Sequence, residues 1–353
     1  MAIGSILKSK FFKYSGIYAL FVVLWAIPAL AFSQGKAGST DGKPYDPKEA
    51  IFEHIGDSHS WHTFGKSAVP LPVILYTDKG VEIFMSDKLH EGEVYQGKNY
   101  NYILEKDKVK IAGSSGKIDT AKKVWDFSIT RNVASMWMGM ILLLVIFISV
   151  SSSYKKRNGK APRGLQSFLE PVILFVRDDV AIPNIGVKHH KFMSLLLTLF
   201  FFILINNLLG LVPFFPGSYN LTGNIAVTLS LSAIVLVVIN FSGNKYYWKH
   251  IFMPEIPLWL YIIMVPVELI GVISKPFALM IRLFANITAG HIIVLSLISL
   301  IFIFKSLAVS PASVVFVVFM DTIELLVAFL QAYIFTMLSA MFIGIAVQEH
   351  HHE

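Results

Sequence analysis

From residue 133 onward the chain is written in long apolar runs separated by short polar breaks, whereas residues 32–130 are polar and carry only short alternating stretches. The apolar runs fall at 133–150, 192–212, 224–241, 258–304 and 310–347. As helices, runs of about 18 residues or more cross a hydrocarbon core of roughly 30 Å. The pattern therefore predicts an all-α polytopic membrane protein with about five crossings, preceded by a small domain of another kind. The last two runs are too long to stand upright: at about 1.5 Å per residue they would measure about 70 and 57 Å. They must break, run on past the membrane or tilt steeply, and Pro276 offers a kink in the first. Ser310 and Pro311 fit a cap and a first-turn proline for the second.

The polar part divides further. Residues 1–31 combine Lys8, Lys10 and Lys13 with an apolar stretch from 17 to 30 and the small-residue ending Ala29-Leu30-Ala31, the layout of a secretory signal peptide cleaved after Ala31. An uncleaved first transmembrane helix is the competing reading, and either sends residues 32–130 out of the cytoplasm. That segment opens with a Gly-, Ser-, Lys- and Asp-rich piece through Lys48. Residues 70–86 then alternate about Asp78-Lys79-Gly80, and residues 100–111 about Glu105-Lys106-Asp107. Two hairpins, and so a small β-rich extracytoplasmic domain, are predicted. Glu53, His54, Asp57, His59 and His62 cluster ahead of them. They are suited to binding a metal or gathering protons near a channel mouth, but the spacing matches no metal motif, and surface histidines at a domain edge are the simpler account.

Charge sets the orientation. The 353 residues are 55% hydrophobic, too apolar for an ordinary soluble protein, with a formal net charge of +7. The basic residues carry no nucleic-acid-binding motif. They gather instead in the N-terminal segment and in residues 151–191, where Lys155, Lys156, Arg157, Lys160, Arg163, Arg177, Lys188 and Lys191 face three acids. By the positive-inside rule that loop is cytoplasmic, the 133–150 span runs inward with Trp137 near its outer end, and the C-terminal tail ends in the cytoplasm. Within the loop, residues 165–176 read as a short amphipathic piece lying at the interface. The turn at 213–223 has no Lys or Arg, as an outer loop should. With no cysteine, the chain holds no disulfide.

The chemistry lies in the last two runs. Arg282 stands in the middle of the first, where a fixed charge costs roughly 2.5–3.5 kcal/mol. Arginine cannot shed its proton there as lysine can, so the position demands a partner. At about 100° per residue Glu268, Lys275, Arg282 and Asn286 form one polar stripe, flanked by Gly271, Ala278, Ala285 and Ala289, which let another helix approach closely. His291 falls on the opposite side of an ideal helix, about 13 Å from Arg282 along the axis, and Glu268 lies about 21 Å the other way. The last run adds Asp321, Glu324 and Gln331. A buried carboxylate and a histidine suit proton exchange, so His291 and Glu324 form a candidate intramembrane relay. The arrangement suggests two hydrated regions at opposite depths with a permanent cation between them. Helix-to-helix hydrogen bonding is the bland alternative for His291 with Glu324, for Asn286 and Gln331, and equally for Asn206 and Asn207, whose other reading is a hydrated path. Asp321 is evenly balanced between the two.

Ser274-Lys275-Pro276, Arg282-Leu-Phe-Ala-Asn286, Ala289-Gly290-His291 and Leu330-Gln331-Ala332-Tyr333-Ile-Phe335, together with Asn207-Leu-Leu-Gly-Leu-Val-Pro213 and Val227-Thr-Leu-Ser230, resemble subunit a of the F-type ATP synthase over about residues 133–349. The resemblance implies a subunit of a bacterial inner-membrane complex, with the two long helices tilted against a ring of subunit c and with the subunit b stalk as another neighbour. It implies that Arg282 is the stator arginine. His291 and Glu324 would belong to the outer half-channel, Asn286 and Gln331 would lie close to the arginine, and Glu268, with Ser274 as a weaker candidate, would belong to the cytoplasmic half-channel. Some bacterial members exchange the histidine and the carboxylate; this chain follows the mitochondrial pattern.

No Walker-type motif is present, so ATP chemistry is expected elsewhere in such a complex, and neither a catalytic residue nor a cofactor or metal is assigned. A self-contained proton-coupled secondary transporter would also bury charges, but it usually shows paired repeats, whereas here the charges concentrate in the last two runs. An intramembrane metal hydrolase lacks an HExxH element.

Overall fold

The computed structural model describes residues 56–62, 68–90, 92–105, 108–113, 118–119, 123–156, 161–212, 217, 219–253, 257, 260–304 and 309–348, with Lys48 and Ile51. The leader reading, Glu53 and His54 lie outside them.

Both predicted hairpins form. Strands β1 (Ser60–His62) and β2 (Ala68–Pro70) pair antiparallel; β3 (Pro72–Thr77) and β4 (Gly80–Met85) pair from Pro72↔Met85 to Thr77↔Gly80, closing on Asp78-Lys79. Gly80, at φ +113°, takes the backbone geometry that ends the turn. The β1–β2 pair is a sheet of its own; β8 (Trp125–Asp126) adds to β3 in a β4-β3-β8 sheet, and strands β5 (Val94–Gln96), β6 (Asn101–Glu105) and β7 (Lys108–Ala112) make a further three-stranded sheet. The alternation seen in the sequence becomes an inside and an outside. Val73, Leu75, Phe84, Leu89, Tyr102, Val109 and Ile111 form the core, while Tyr76, Val81, Ile83 and Trp125 stay exposed on the other face. Glu82 is the one carboxylate in strand β4, and it is buried. Its two oxygens accept from the Lys98 and Asn99 amides and from the Tyr102 hydroxyl, so a polar group on the apolar side ties the two three-stranded sheets together instead of standing unpaired.

The domain is joined to the helices without slack. The Ile129 amide donates to Pro72 O and the Arg131 amide to Ser58 O, the Arg131 guanidinium reaches Gly56 O, and Asp57 accepts from the Asn132 amide in the first turn of α1 (Arg131–Lys156). A carboxylate at that place satisfies a helix-start amide that has no partner within the helix.

Next come α2 (Leu165–Phe175), a π-helical turn Val176–Ala181, the single turn Ile182–Ile185, and a 3-10 turn Gly186–Lys188 leading into α3 (His189–Leu211). Helices α4 (Ile225–Ser242), α5 (Lys245–Phe252), α6 (Tyr261–Phe304) and α7 (Val309–Val347) complete the chain. Among the described residues, five helical stretches are long and apolar enough to cross a membrane: Arg131–Lys156, Leu165–Leu211, Ile225–Ser242, Tyr261–Ile301 and Ser310–Val347.

Several expectations change in detail. The piece expected to end near 176 instead continues through the π turn, and Leu169, Val176, Val180 and Ala181 enter the helical core. Ser310 lies inside α7 and is not its cap, while Pro311 keeps its place in the first turn. Helix α6 is unbroken through Pro266 and Pro276, so the overlong segment is accommodated without a break in helical structure.

Two compact units can be told apart, one containing Ala289–Leu325 and the other Gly56–Thr288 with Leu326–Glu353. The core of the second collects Phe192, Leu196, Phe200 and Ile203 of α3, Val235 and Ile239 of α4, Leu279 and Leu283 of α6, and Ala332, Phe335, Ala340 and Ile343 of α7. Close approach is built in at Gly139 on α1, where a Cβ would stand 2.5 Å from Asn206 Oδ1.

Candidate functional site

Each helix presents its polar residues differently. On α6, Arg282 is exposed, and among the described residues no side chain pairs with its guanidinium. Ala278, Ala285 and Ala289 are exposed as well, and a Cβ added at Gly271 would meet nothing within 4 Å. The small-residue face predicted around the arginine is therefore open. Leu279, Leu283 and Ile287, on the other side of the helix, are buried, which fixes the rotation of α6 and points the arginine face away from the core.

The lower part of the stripe is half-covered. Lys275 lays its ammonium 5.7 Å from the centroid of the Phe342 ring on α7, a cation–π contact that the sequence does not reveal. Ser274 donates to Gly271 O at 3.2 Å within its own helix. Glu268 is half-buried, and Tyr247 on α5 feels its charge: burial first, and then Glu268, push the tyrosine above its ordinary range.

One turn above the arginine, Asn286 donates to Gln331 Oε1 at 2.8 Å, joining α6 to α7. Gln331 is 1% exposed, and its Nε2 has no hydrogen-bond partner. A buried amide nitrogen without a partner is an unsatisfied polar group beside the open face.

In the other unit, His291 Nδ1 lies 3.3 Å from Glu324 Oε1, close enough for an ion pair but without hydrogen-bond geometry, which leaves that buried oxygen free. The helix-to-helix contact that the sequence could only suggest is present. Gly290 makes room for it, since a Cβ there would come within 3.0 Å of the same oxygen. Asp321, half-buried, sits one turn before Glu324 on the same helix. Among the described residues no group of three or more His, Cys, Asp or Glu side chains is placed to hold a metal ion. Of the earlier histidine cluster, His59 is buried and paired with Asp126 at 3.0 Å, away from any surface role.

Asn206 and Asn207 are both buried, and both are used within the protein. Asn206 donates to Phe202 O and accepts from the Tyr219 hydroxyl at 3.3 Å. Asn207 donates to Ala328 O of α7 at 3.3 Å and accepts from the Thr222 hydroxyl at 2.7 Å. The geometry favours the gluing reading over the hydrated path.

Residues 133–344 match the family model described as ATP synthase A chain. That match covers well over half of the chain. The chain belongs to the ATP synthase A chain family. Among similar proteins, "ATP synthase subunit a" of Chloroherpeton thalassium is 48% identical over 234 residues, 65% of this chain and 69% of that protein. "ATP synthase subunit a 2" of Chlorobaculum tepidum is 50% identical over 230 residues, 63% of this chain and 64% of its own length, and "ATP synthase subunit a" of Myxococcus xanthus is 43% identical over 236 residues, 65% and 76%. Against the Chlorobaculum protein the chain thus spans less than two thirds of the relative's length. Residues 50–127 match a separate family model described only as a domain of unknown function. The A chain family match begins at 133, two residues into α1, so the β-rich region lies ahead of it.

Sequence reasoning missed Tyr219 and Thr222, the two turn residues that occupy the asparagines. The available signal was the polar Asn220, Thr222 and Asn224 following an apolar span that carries paired asparagines one turn before its end.

Proposed function

We propose that this chain is the stationary, non-catalytic proton-conducting subunit of a rotary ATP synthase membrane sector, lying against a ring of subunit c in a bacterial inner membrane and held with the subunit b stalk. The observation that carries the proposal is Arg282: a permanent cation at mid-helix, exposed, unpaired among the described residues and bordered by alanines. A charge left so in hydrocarbon costs at least roughly 2.5–3.5 kcal/mol. A carboxylate brought past on another helix removes that penalty, and the small residues let the helix come close.

In this reading each ring carboxylate is drawn to Arg282 as it loses its proton, and the same cation repels protons that would pass straight across. His291 and Glu324 hand protons along on the extracytoplasmic side, with Asp321 as an adjoining group. Asn286 and Gln331 flank the arginine. Glu268, with Ser274 beside it, leads to the cytoplasm. The long helices tilt around the ring, residues 32–130 stand outside the cytoplasm after a leader over residues 1–31, and the 131–353 domain carries the conduction. Family membership weighs against the self-contained transporter.

The decisive test is Arg282→Ala in membranes bearing the assembled complex, measuring ATP-driven pumping and passive proton leak. Coupled pumping should vanish and leak should rise; retained coupled pumping would sink the assignment.

A further inference from the structure

The β-rich domain touches the helices at one place that leads back to the site. Trp61 of β1 meets Tyr219 edge to face, ring centroids 6.1 Å apart, and with Leu71 and Leu221 these side chains form a closed apolar cluster against α1, α3 and the start of α4. The turn that carries Tyr219 is itself bonded to everything around it. Its Tyr219 hydroxyl reaches Asn206, its Thr222 hydroxyl reaches Asn207, and Asn207 in turn holds Ala328 O on α7, three residues before Gln331. At the other end of the turn, Gly223 O accepts from Thr288 on α6 at 3.5 Å, two residues after Asn286. The turn therefore holds α6 directly at Thr288 and α7 through Asn207 at Ala328, both within one helical turn of the Asn286–Gln331 bond.

We infer that Trp61 and Tyr219 are positioning residues: the extramembrane domain clamps the 219–224 turn, and the clamped turn sets the spacing of α6 and α7 at Asn286 and Gln331. The covalent path from the domain to these helices is long, but the packed path is short. An apolar clamp suits this place because Trp61 and Tyr219 are nearly excluded from water, and a rigid aromatic pair loses little entropy when held. The turn cannot readily substitute for the clamp with contacts of its own: both side-chain polar atoms of Asn220, at its centre, are buried without partners, so it holds polar groups that would be better hydrated if it opened. Something must keep it shut, and the Trp61 cluster covers it.

The inference rests on the proposed function for what the Asn286–Gln331 pair does. Its test is a double-variant cycle in the assembled complex, using Trp61→Ala, Tyr219→Leu and both together, with Trp61→Phe as the conservative variant and Arg282→Ala as a control. The amount of this subunit in the purified complex is measured alongside pumping, leak and the pH profile of pumping. Each single variant should lower coupled pumping by about two- to tenfold, the range that the loss of one aromatic pair implies, and should shift the pH profile. The double variant should be no worse than Tyr219→Leu alone, since that variant already breaks the ring contact along with the hydroxyl bond to Asn206. Trp61→Phe should restore most of the loss. If Trp61→Ala prevents assembly, Trp61→Phe and Tyr219→Leu still decide the matter through the pH profile. Unaltered pumping and pH profile in both singles, with Arg282→Ala abolishing coupling, would overturn this inference alone; an Arg282→Ala complex that still couples would overturn the functional reading beneath it.

Discussion

Thr222→Val exchanges a hydroxyl for a methyl of nearly the same volume, so it probes one hydrogen bond with little disturbance of packing. The hydroxyl donates at 2.7 Å to Asn207 Oδ1, and both residues are nearly excluded from water, Thr222 at 2% exposed and Asn207 at 4%. Two scales bear on the magnitude. Polar contacts between membrane helices average about 0.6 kcal/mol, because the unfolded chain in the bilayer finds other partners. An acceptor left buried and unpaired costs about 1–3 kcal/mol. Here the acceptor stays buried after the change and its Nδ2 remains committed to Ala328 O, so the second scale governs and about 1–2 kcal/mol is expected. Local opening of the turn should then become about five- to thirtyfold more frequent. Hydrogen exchange of the amides of residues 219–224 in the lipid-reconstituted complex reads this directly, because exchange from a locally opened segment follows its opening free energy. Thr222→Ser, which keeps the hydroxyl, should retain the protection. Protection unaltered in Thr222→Val would show that the hydroxyl does not hold the turn, and the chain of bonds from the turn to α7 would lose its middle link.

Two other outcomes follow from contacts elsewhere. Gly344→Ala would drive a Cβ into the carbonyl oxygen of Asn184, a backbone atom that cannot swing aside, so the complex should lose about 1–3 kcal/mol of stability; thermal unfolding in detergent measures it, and an unshifted midpoint would mean that the helices do not meet there. Where the β-rich domain joins α1, burial raises the Asp126 carboxyl, but the hydrogen bonds from His59 and Ser128 and the charge of His59 outweigh it and hold the group below its ordinary 3.8. A carboxylate with a depressed folded value stabilises fully above the unfolded value and ceases to do so as pH falls through the folded one. Amide protection around residues 57–59 and 126–128 should therefore decline as pH falls below about 4, and Asp126→Asn should abolish that acid decline; a decline of equal size in the variant would assign it to another group.

How much was legible in the sequence depended on range. Hydrophobic period is a local property, so the long apolar helices and the hairpin about Asp78-Lys79 could be placed, although α1 runs six residues past the predicted 150 and the short helix α5 was not foreseen. Arg282 stood out for a local reason as well, since one charge in an apolar run is visible without knowing its neighbours. Even the facing of α6 was local arithmetic: the alanines beside Arg282 are on the exposed side and Leu279 and Leu283 on the buried one.

Pairing across distance was decided only by the tertiary structure. Nothing in the spacing showed that Asn286 bonds Gln331 forty-five residues away, that Asn207 reaches Ala328, or that Lys275 packs on Phe342. The amphipathic stretch at 165–176 looked interfacial because its own sequence is two-faced, yet Leu169 and residues of the π turn enter the helical core, packed by helices that the local pattern cannot see. Asn206 and Asn207 show the same limit most plainly. Alone they are two amides in a greasy helix, suited equally to water or to protein; Tyr219 and Thr222 on a turn, with Ala328 on a helix far along the chain, settle which groups they satisfy. A side chain's type sets what it can bond, while the fold sets which partner arrives.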